Sequence, residues 1–227
     1  SLATYYNWCV DKVNKYNFIK WDCDFFAITD NLVEMINKYN LNSHKRYVSI
    51  LPGSRKSEIK NLLPTYIGFI KEHSKMYSNY EYLIPAVDEL SMHDIKSIIP
   101  SSLPIHVHKG CSKDFMSVSD YSIVTSGTAT LEAAVLGCNP IICYKTSFIN
   151  YSIISRMLKI DNVGLPNLLM GSRVFPELIQ GDCNVQNLMK EAEKMQKAFS
   201  QNSHTSILRE LLLGKGFKET AKKIRTL

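Results

Sequence analysis

Short apolar runs alternate with longer amphipathic segments through the middle of the chain. The apolar runs predict five strands, at residues 47–51, 82–87, 105–108, 121–124 and 140–144. The amphipathic segments predict helices at 64–76, 89–98 and 113–118, and a fourth helix that starts at the turn 126–128. Strands separated by helices need crossover connections, which favour a parallel sheet with helices on both faces. The pattern therefore predicts a doubly wound α/β fold.

The two ends of the chain have a different pattern. Residues 1–46 contain no Gly or Pro and predict one strand at 24–29 and an amphipathic helix at 31–39. Beyond residue 144 the predicted elements are helices at 148–158, 176–179 and 185–199, a loop at 163–171, and two short helices near the end. We therefore divide the chain into an N-terminal segment (1–46), an α/β domain (47–183) and a helical C-terminal extension (184–227).

The strand at 121–124 ends in a turn of small residues, Ser126, Gly127 and Thr128, from which a helix begins. Small residues let backbone N–H groups approach an anion, and the positive end of the helix dipole lies behind them. Glu132 follows Thr128 by one helical turn, where its carboxylate can accept hydrogen bonds from ribose hydroxyls. Phosphate and ribose together indicate a nucleotide. The same residues also suit an ordinary helix cap with an acidic first turn.

A second turn, containing Gly53, Ser54 and Arg55, follows the strand at 47–51. The guanidinium fork of Arg55 can bind a diphosphate, on which charge develops when a sugar leaves. Glu58 can orient that arginine or contact the ligand itself, although a surface salt bridge is the alternative interpretation of Arg55. In a parallel α/β sheet both glycine turns emerge at the carboxyl edge, where ligands bind.

A third stretch, residues 163–183, contains two amides with the chemistry needed to recognise a base or a sugar. Asn167 follows a proline in the predicted loop, and Gln180 follows the short predicted helix. An amide donates and accepts hydrogen bonds at once. Taken alone, this stretch is equally typical of a capped loop between helices. Lys145, after the strand at 140–144, adds a positive charge at the same edge of the sheet.

The composition is that of a globular protein, with 45% hydrophobic residues in 227. No apolar run approaches the ~18–20 residues of a membrane span, and the N-terminus lacks the form of a secretory signal. The six cysteines are too scattered for a zinc or redox motif, so we expect reduced core thiols of a cytosolic protein. His106 and His108 share a strand face but lack a third ligand, which favours structural roles over a metal site.

The net charge of +6 is concentrated at the C-terminal end. From Asn184 onward, nine Lys and Arg stand against four Glu. This excess suits an anionic membrane surface, a phosphorylated substrate or simply a solvated helix face. Nucleic acid is a poor partner, because the charges are not interleaved with aromatic residues and no recognition motif is present.

Together the three stretches resemble the lipid-A-disaccharide synthase family, GT-B glycosyltransferases of Gram-negative bacteria. The resemblance is carried by LPGSR with Glu58, by SGTATLE followed by NPIICYK, and by LPNLLMG with PELIQ, in register from about Tyr47 to Cys183. It implies a Rossmann-like half of a GT-B enzyme. It also implies transfer of 2,3-diacylglucosamine from UDP to the 6-hydroxyl of 2,3-diacylglucosamine 1-phosphate (lipid X), with inversion, to give the β(1→6) disaccharide.

The resemblance further implies how the donor UDP-2,3-diacylglucosamine is held. Arg55 would stabilise the leaving diphosphate, Ser126, Gly127 and Thr128 would bind phosphate, and Glu132 would bind the ribose. The other implied donor contacts are Gly53, Ser54, Glu58, Asn167 and Gln180. No cofactor or metal is expected. The expected location is the inner face of the inner membrane, reached peripherally from the cytoplasm, with a homodimer as one possible assembly.

The front of the chain departs from the family, in which an N-terminal domain carries the acceptor site and the general base. Residues 1–46 resemble only a remnant of that domain, and no base is identified. Two further hypotheses therefore remain open. One is another UDP-sugar GT-B enzyme, an epimerase or a different transferase; the other is a truncated module that binds UDP without catalysis.

Overall fold

The computed structural model describes residues 33–145 and 162–197, together with 204–205 and 207–208. The strand predicted at 24–29, the helix predicted at 148–158 and most of the chain after residue 197 lie outside these residues. The division into three segments consequently remains a prediction for both ends of the chain.

Six parallel strands form one sheet in the described residues. They are β1 (Arg46–Leu51), β2 (Tyr80–Ala86), β3 (Ile105–Lys109), β4 (Tyr121–Thr125), β5 (Pro140–Tyr144) and β6 (Glu177–Ile179). Their order is β3-β2-β1-β4-β5-β6, and every neighbouring pair is parallel. The predicted doubly wound fold is confirmed. The strand order reverses between β1 and β4, the place where such sheets bind ligands.

The helices cover both faces of this sheet. They are α1 (Lys56–Met76), α2 (Glu89–Ile98), α3 (Ser112–Val118), α4 (Thr128–Val135), α5 (Leu165–Met170) and α6 (Val185–Lys197). A further helical segment, residues 33–38, precedes β1. No helix in the described parts of the chain has the length and apolar character required to cross a membrane.

Alternate side chains of the strands are buried in hydrophobic cores on opposite faces of the sheet. In β1, Val48 and Ile50 are fully buried in the core that contains α1, α2 and α6. Tyr47 packs on the opposite face against Phe115 of α3, and Leu51 packs there against Ala133 of α4. Because neighbouring residues of a strand point to opposite faces, burial on both sides explains the nearly continuous apolar runs from which the strands were predicted.

Helix α1 begins eight residues earlier than the sequence pattern predicted. The prediction placed Pro64 in the first helical turn, but the helix starts at Lys56 and Pro64 lies inside it. An interior proline costs about 3 kcal/mol in helix propensity. The flanking residues Leu62 and Leu63 are fully buried, so packing on the sheet offsets that cost.

The third stretch also folds differently from its prediction. The expected loop at 163–171 contains a short helix, α5, and the expected helix at 176–179 is strand β6. β6 pairs with β5 over Glu177–Ile179 and extends the sheet by one strand. A three-residue strand carries too little periodicity to be distinguished from a helix turn, and its pairing with β5 is a tertiary effect.

Candidate functional site

A cleft of about 570 Å³ opens at the carboxyl edge of the sheet, above the switch point between β1 and β4. Turns from opposite sides of the switch point form its walls. Seven of the ten predicted donor-binding residues line it: Gly53, Ser54, Arg55, Glu58, Ser126, Gly127 and Thr128. Two turns that lie more than 70 residues apart in the chain thus face one space.

The turn after β1 is organised by Glu58, in the first turn of α1. Its Oε2 accepts hydrogen bonds from the backbone N–H groups of Ser54 (3.0 Å) and Arg55 (3.3 Å). The side chain of Glu58 also packs over Gly53, which has a φ of +106°. A Cβ at Gly53 would lie 2.7 Å from the Cβ of Glu58, so both backbone conformation and space require glycine there.

The guanidinium of Arg55 is bound to Glu58 through one nitrogen, and most of the side chain is exposed to solvent. Its Nη1 donates to Oε1 of Glu58 at 2.8 Å, while the side chain is 79% exposed. A guanidinium has five N–H donors, so this ion pair leaves donors directed to solvent at the mouth of the cleft. Glu58 therefore orients Arg55, which was one of its two predicted roles.

The turn after β4 presents backbone to the cleft. Gly127 and Thr128 are exposed, and a Cβ at Gly127 would meet no atom closer than 4.0 Å. Packing within the protein thus does not require glycine at 127, and its effect is to leave space in the cleft. The Gly127 carbonyl accepts from the hydroxyl (2.7 Å) and the N–H (3.2 Å) of Thr130. The start of α4 is also the positive end of its helix dipole.

Ser126 has a different role from the one predicted. Its N–H donates to the Cys143 carbonyl of β5 at 2.8 Å, and its hydroxyl donates to the Val163 carbonyl at 2.9 Å. Both donors are therefore used within the protein. We correct the prediction accordingly: Ser126 lines the cleft and anchors the turn, whereas Gly127 and Thr128 carry the exposed part of it.

Asn167 lies outside the cleft and is fully buried. Its Nδ2 donates to the Phe175 carbonyl (2.8 Å) and to Oε1 of Glu177 (2.7 Å). Its Oδ1 accepts from the N–H groups of Val174 (3.0 Å) and Phe175 (2.9 Å). These four bonds use the whole hydrogen-bonding capacity of an amide. The prediction that Asn167 contacts the donor is corrected, because no group remains to bind it.

Two other predicted residues do not line the cleft. Glu132 is on α4, one turn after Thr128, and is partly exposed. Gln180 follows β6 with a φ of +52°, at the carboxyl edge shared with the two turns. Lys145 follows β5 at the same edge. Ligand contact by Glu132 and Gln180 remains a prediction.

The sequence analysis did not predict the cleft residues that follow β2 and β3. Val87 follows β2, and Gly110, Cys111 and Ser112 follow β3. Burial raises the pKa of the Cys111 thiol to about 12, so the group is protonated at neutral pH and is a weak nucleophile. The carboxyl-edge rule applied to all predicted strands, rather than to the glycine turns alone, would have identified these residues.

Similarity to known proteins extends over most of the chain. A profile of the lipid-A-disaccharide synthetase family matches residues 24–225. The lipid-A-disaccharide synthase of Acinetobacter baylyi is 34% identical in an alignment of 202 residues that covers 82% of this chain and 51% of that protein. The synthase of a Sulfurihydrogenibium species is 34% identical in an alignment of 224 residues that covers 90% of this chain and 57% of that protein. The chain thus spans about half the length of the curated relatives it matches.

Among solved structures, the ADP-heptose LPS heptosyltransferase II of E. coli superimposes with a TM-score of 0.54 at 12% identity. The superposition covers 73% of this chain and 51% of that one. At this identity the likeness concerns the fold, a Rossmann-like half of a GT-B glycosyltransferase.

Proposed function

The chain belongs to the lipid-A-disaccharide synthetase family, and on that premise we propose that it is the donor-binding part of a lipid-A-disaccharide synthase. The reaction is transfer of 2,3-diacylglucosamine from UDP to the 6-hydroxyl of 2,3-diacylglucosamine 1-phosphate, with inversion and release of UDP. The site of action is the cytoplasmic face of the inner membrane of a Gram-negative bacterium. The acceptor site and the general base belong to the other domain of the GT-B pair.

One observation carries this proposal. An exposed guanidinium and the N-terminus of a helix face the same cleft at the switch point of a parallel sheet. Both are suited to binding anions. The volume of about 570 Å³ is in the ordinary range for ligand pockets, which is roughly 300–1,000 Å³. A nucleoside diphosphate supplies the required charge and size.

The charge arrangement also suits the chemistry. As the sugar leaves, negative charge accumulates on the β-phosphate of UDP, and donors fixed in advance stabilise it most where the charge develops. Arg55, already oriented by Glu58, is such a donor. Gly127 and Thr128 provide backbone N–H groups on the opposite wall. Glu132 binds the ribose hydroxyls one turn further along α4, and Gln180 contacts the donor from the end of β6.

Calorimetric titration with UDP tests the site, and Lys56 provides a matched control. Arg55→Ala removes a cation that lines the cleft, and we expect UDP affinity to fall at least about tenfold, the usual loss for a charged hydrogen bond. Lys56→Ala removes the adjacent cation, which is 83% exposed and does not line the cleft, so it should change affinity less than about twofold. Equal affinities for the wild type and Arg55→Ala would sink the proposal.

Glu132→Ala tests the ribose contact separately. We expect weaker binding of UDP and of uridine, because both ligands contain the ribose. Titrations with and without magnesium should agree, since the phosphate charge is balanced by protein groups. Product analysis with acylated and non-acylated UDP-glucosamine, in the presence of the N-terminal domain of a relative, then tests the substrate class.

A further inference from the structure

Glu177 is a buried carboxylate that does not line the cleft but is connected to the turn 126–128. Glu177 is the first residue of β6 and is 7% exposed. Its Oε2 accepts from the N–H of Val163 at 2.8 Å. Its Oε1 accepts from the N–H of Gly164 at 3.0 Å and from Nδ2 of Asn167 at 2.7 Å. We call Glu177 with these three partners the Glu177 clamp.

The clamp satisfies the carboxylate through hydrogen bonds alone. Among the described residues no ion pair joins Glu177 to a cation. A carboxylate this deeply buried is costly unless its oxygens accept hydrogen bonds, and an apolar residue of the same size would serve stability at least as well. What the carboxylate provides, and an apolar residue cannot, is a defined position for two successive backbone N–H groups.

Those backbone groups connect the clamp directly to the cleft. Val163 gives its N–H to Glu177, and its carbonyl accepts from the hydroxyl of Ser126 at 2.9 Å. The N–H of Ser126 is held from the other side by the Cys143 carbonyl. Gly127, the next residue, is the N-cap of α4. The peptide unit between Val163 and Gly164 therefore separates the buried carboxylate from the turn that faces the ligand, because its N–H, on Gly164, donates to Glu177 and its carbonyl, on Val163, accepts from Ser126.

Asn167 extends the same network away from the cleft. It holds the backbone at Val174 and Phe175, immediately before β6, and it donates to Glu177. The segment that leads into β6 and the segment that contacts Ser126 are thus fixed to each other. A displacement of either would be transmitted to the turn, because each link is a direct hydrogen bond.

We propose that Glu177 and Asn167 are positioning residues for the diphosphate. Within the third stretch, these two residues act on the donor through Val163 and Ser126 rather than by touching it. This inference rests on the proposed function, since it requires a diphosphate at the turn 126–128. It predicts that damage to the clamp weakens recognition of the phosphates and leaves recognition of the nucleoside unchanged.

The test compares UDP with uridine in chemical-shift titrations of the full 227-residue chain. In Glu177→Gln, an amide NH₂ replaces one carboxylate oxygen and confronts a backbone N–H, so one link of the clamp is lost. We expect UDP affinity to fall about tenfold, the effect of one misplaced hydrogen-bonding group, while uridine affinity stays the same. A merely structural role would change both ligands alike or neither.

Two serines of β4 and its turn provide a matched control pair. Ser126→Ala removes the hydroxyl that donates to Val163 at 2.9 Å, and Ser122→Ala removes a hydroxyl that donates to the Cys138 carbonyl at 3.0 Å. Ser126→Ala should lower the UDP-to-uridine affinity ratio, and Ser122→Ala should not. Combined with Glu177→Gln, Ser126→Ala should add little further loss, because both break the same chain of bonds.

The outcomes separate this inference from the function on which it rests. If the folded wild-type chain does not bind UDP, the proposed function fails and the positioning role fails with it. If the wild type binds UDP but Glu177→Gln keeps the wild-type ratio of UDP to uridine affinity, only the positioning role is overturned. If Glu177→Gln does not fold, the comparison of Ser126→Ala with Ser122→Ala decides: equal ratios overturn the proposal, and a ratio lowered only in Ser126→Ala supports it.

Discussion

At the scale of single residues, hydrogen-bond saturation distinguishes side chains that can meet a ligand from those that hold the backbone. Arg55 and Asn167 were predicted from equally polar chemistry, yet Arg55 is 79% exposed and Asn167 has every hydrogen-bonding group occupied. The same criterion gives Ser126 an anchoring role within a turn that otherwise faces the cleft. Residue type alone predicted a contact in each case.

His73 is another saturated polar residue, at the amino edge of the sheet. It is fully buried on α1, where Nδ1 lies 2.6 Å from the Tyr82 hydroxyl. Its Nε2 lies 2.8 Å from the amide nitrogen of Gln196 on α6 and 3.1 Å from the Tyr121 hydroxyl. Because an amide nitrogen only donates, Nε2 is the acceptor and the proton is on Nδ1. Burial lowers the pKa of His73 from 6.5 to about 4.

This lowered pKa predicts acid sensitivity of the fold. Between pH 6.5 and 4 the unfolded chain binds a proton at His73 that the folded chain does not, so stability is complete above pH 6.5 and falls as the pH decreases. The expected loss from this group is about 3 kcal/mol by pH 4. Urea unfolding at several pH values measures it.

The control for this prediction is an exposed histidine. His73→Leu should flatten the part of the pH dependence between 4 and 6.5, whatever it does to stability at neutral pH. His93→Gln removes a side chain that is 85% exposed and should leave the slope unchanged. An unaltered slope in His73→Leu would show that other groups titrate in this range.

At the scale of elements, packing decides where the helices begin and how closely they approach. Helix α1 runs through Pro64 because its apolar face is buried against the sheet. α1 also carries Gly68 at its contact with α6, where an added Cβ would lie 2.8 Å from Cγ2 of Val185. Glycine is a poor helix residue, so its presence here reflects the close approach of the two helices.

Gly68 and Val185 should therefore be energetically coupled. In the wild-type background, Gly68→Ala should destabilise by about 1 kcal/mol, because overpacking against a stiff β-branched side chain exceeds the gain in helix propensity. In a Val185→Ala background the clash is absent, and the same substitution should stabilise by about 0.5–1 kcal/mol. Thermal or urea unfolding of the four chains measures the coupling.

Lys71→Ala, at an exposed position of α1, serves as the reference for a substitution without packing consequences. It should change stability by less than about 0.5 kcal/mol in both backgrounds. Additive effects of Gly68→Ala and Val185→Ala would show that the helices do not meet at these residues.

At the scale of the whole molecule, the order of the strands assembles the site. β1 has β2 on one side and β4 on the other, so the chain turns after β1 and β4 become neighbours although the elements from α1 to α3 separate them in sequence. The site is thus a property of the folded sheet. A ligand that bridges the two turns binds the folded state and not the unfolded chain.

Binding of UDP should consequently stabilise the fold as a whole. At a UDP concentration of 100 times Kd, the free energy of unfolding should rise by about 2.7 kcal/mol, and Tm by roughly 5–10 °C for a chain of this size. Differential scanning calorimetry measures the shift. At the same UDP concentration Lys56→Ala should match the wild type and Arg55→Ala should shift less. A shift that is equal in all three chains would contradict a role for Arg55.

The local pattern was sufficient for the central elements and for both glycine turns. Apolar runs, and small residues between a strand and a helix, give strong signals within about ten residues, because the residue types that suit a buried strand and a helix N-terminus are contiguous in the sequence. β1, β4 and the residues 53–58 and 126–128 were predicted for that reason, and the family resemblance added their common ligand.

What the local pattern could not provide depends on contacts between distant residues. β6 is a strand because β5 pairs with it, and α1 extends through Pro64 because the sheet buries its apolar side. Asn167 was predicted to contact the ligand, and Glu177 was assigned no role. Folding places them in one buried network, in which Nδ2 of Asn167 lies 2.7 Å from Oε1 of Glu177, ten residues further along the chain. The tertiary structure determines which side chains are buried and which groups they hydrogen-bond. It therefore also determines whether a polar side chain is available to a ligand or is bonded within the protein.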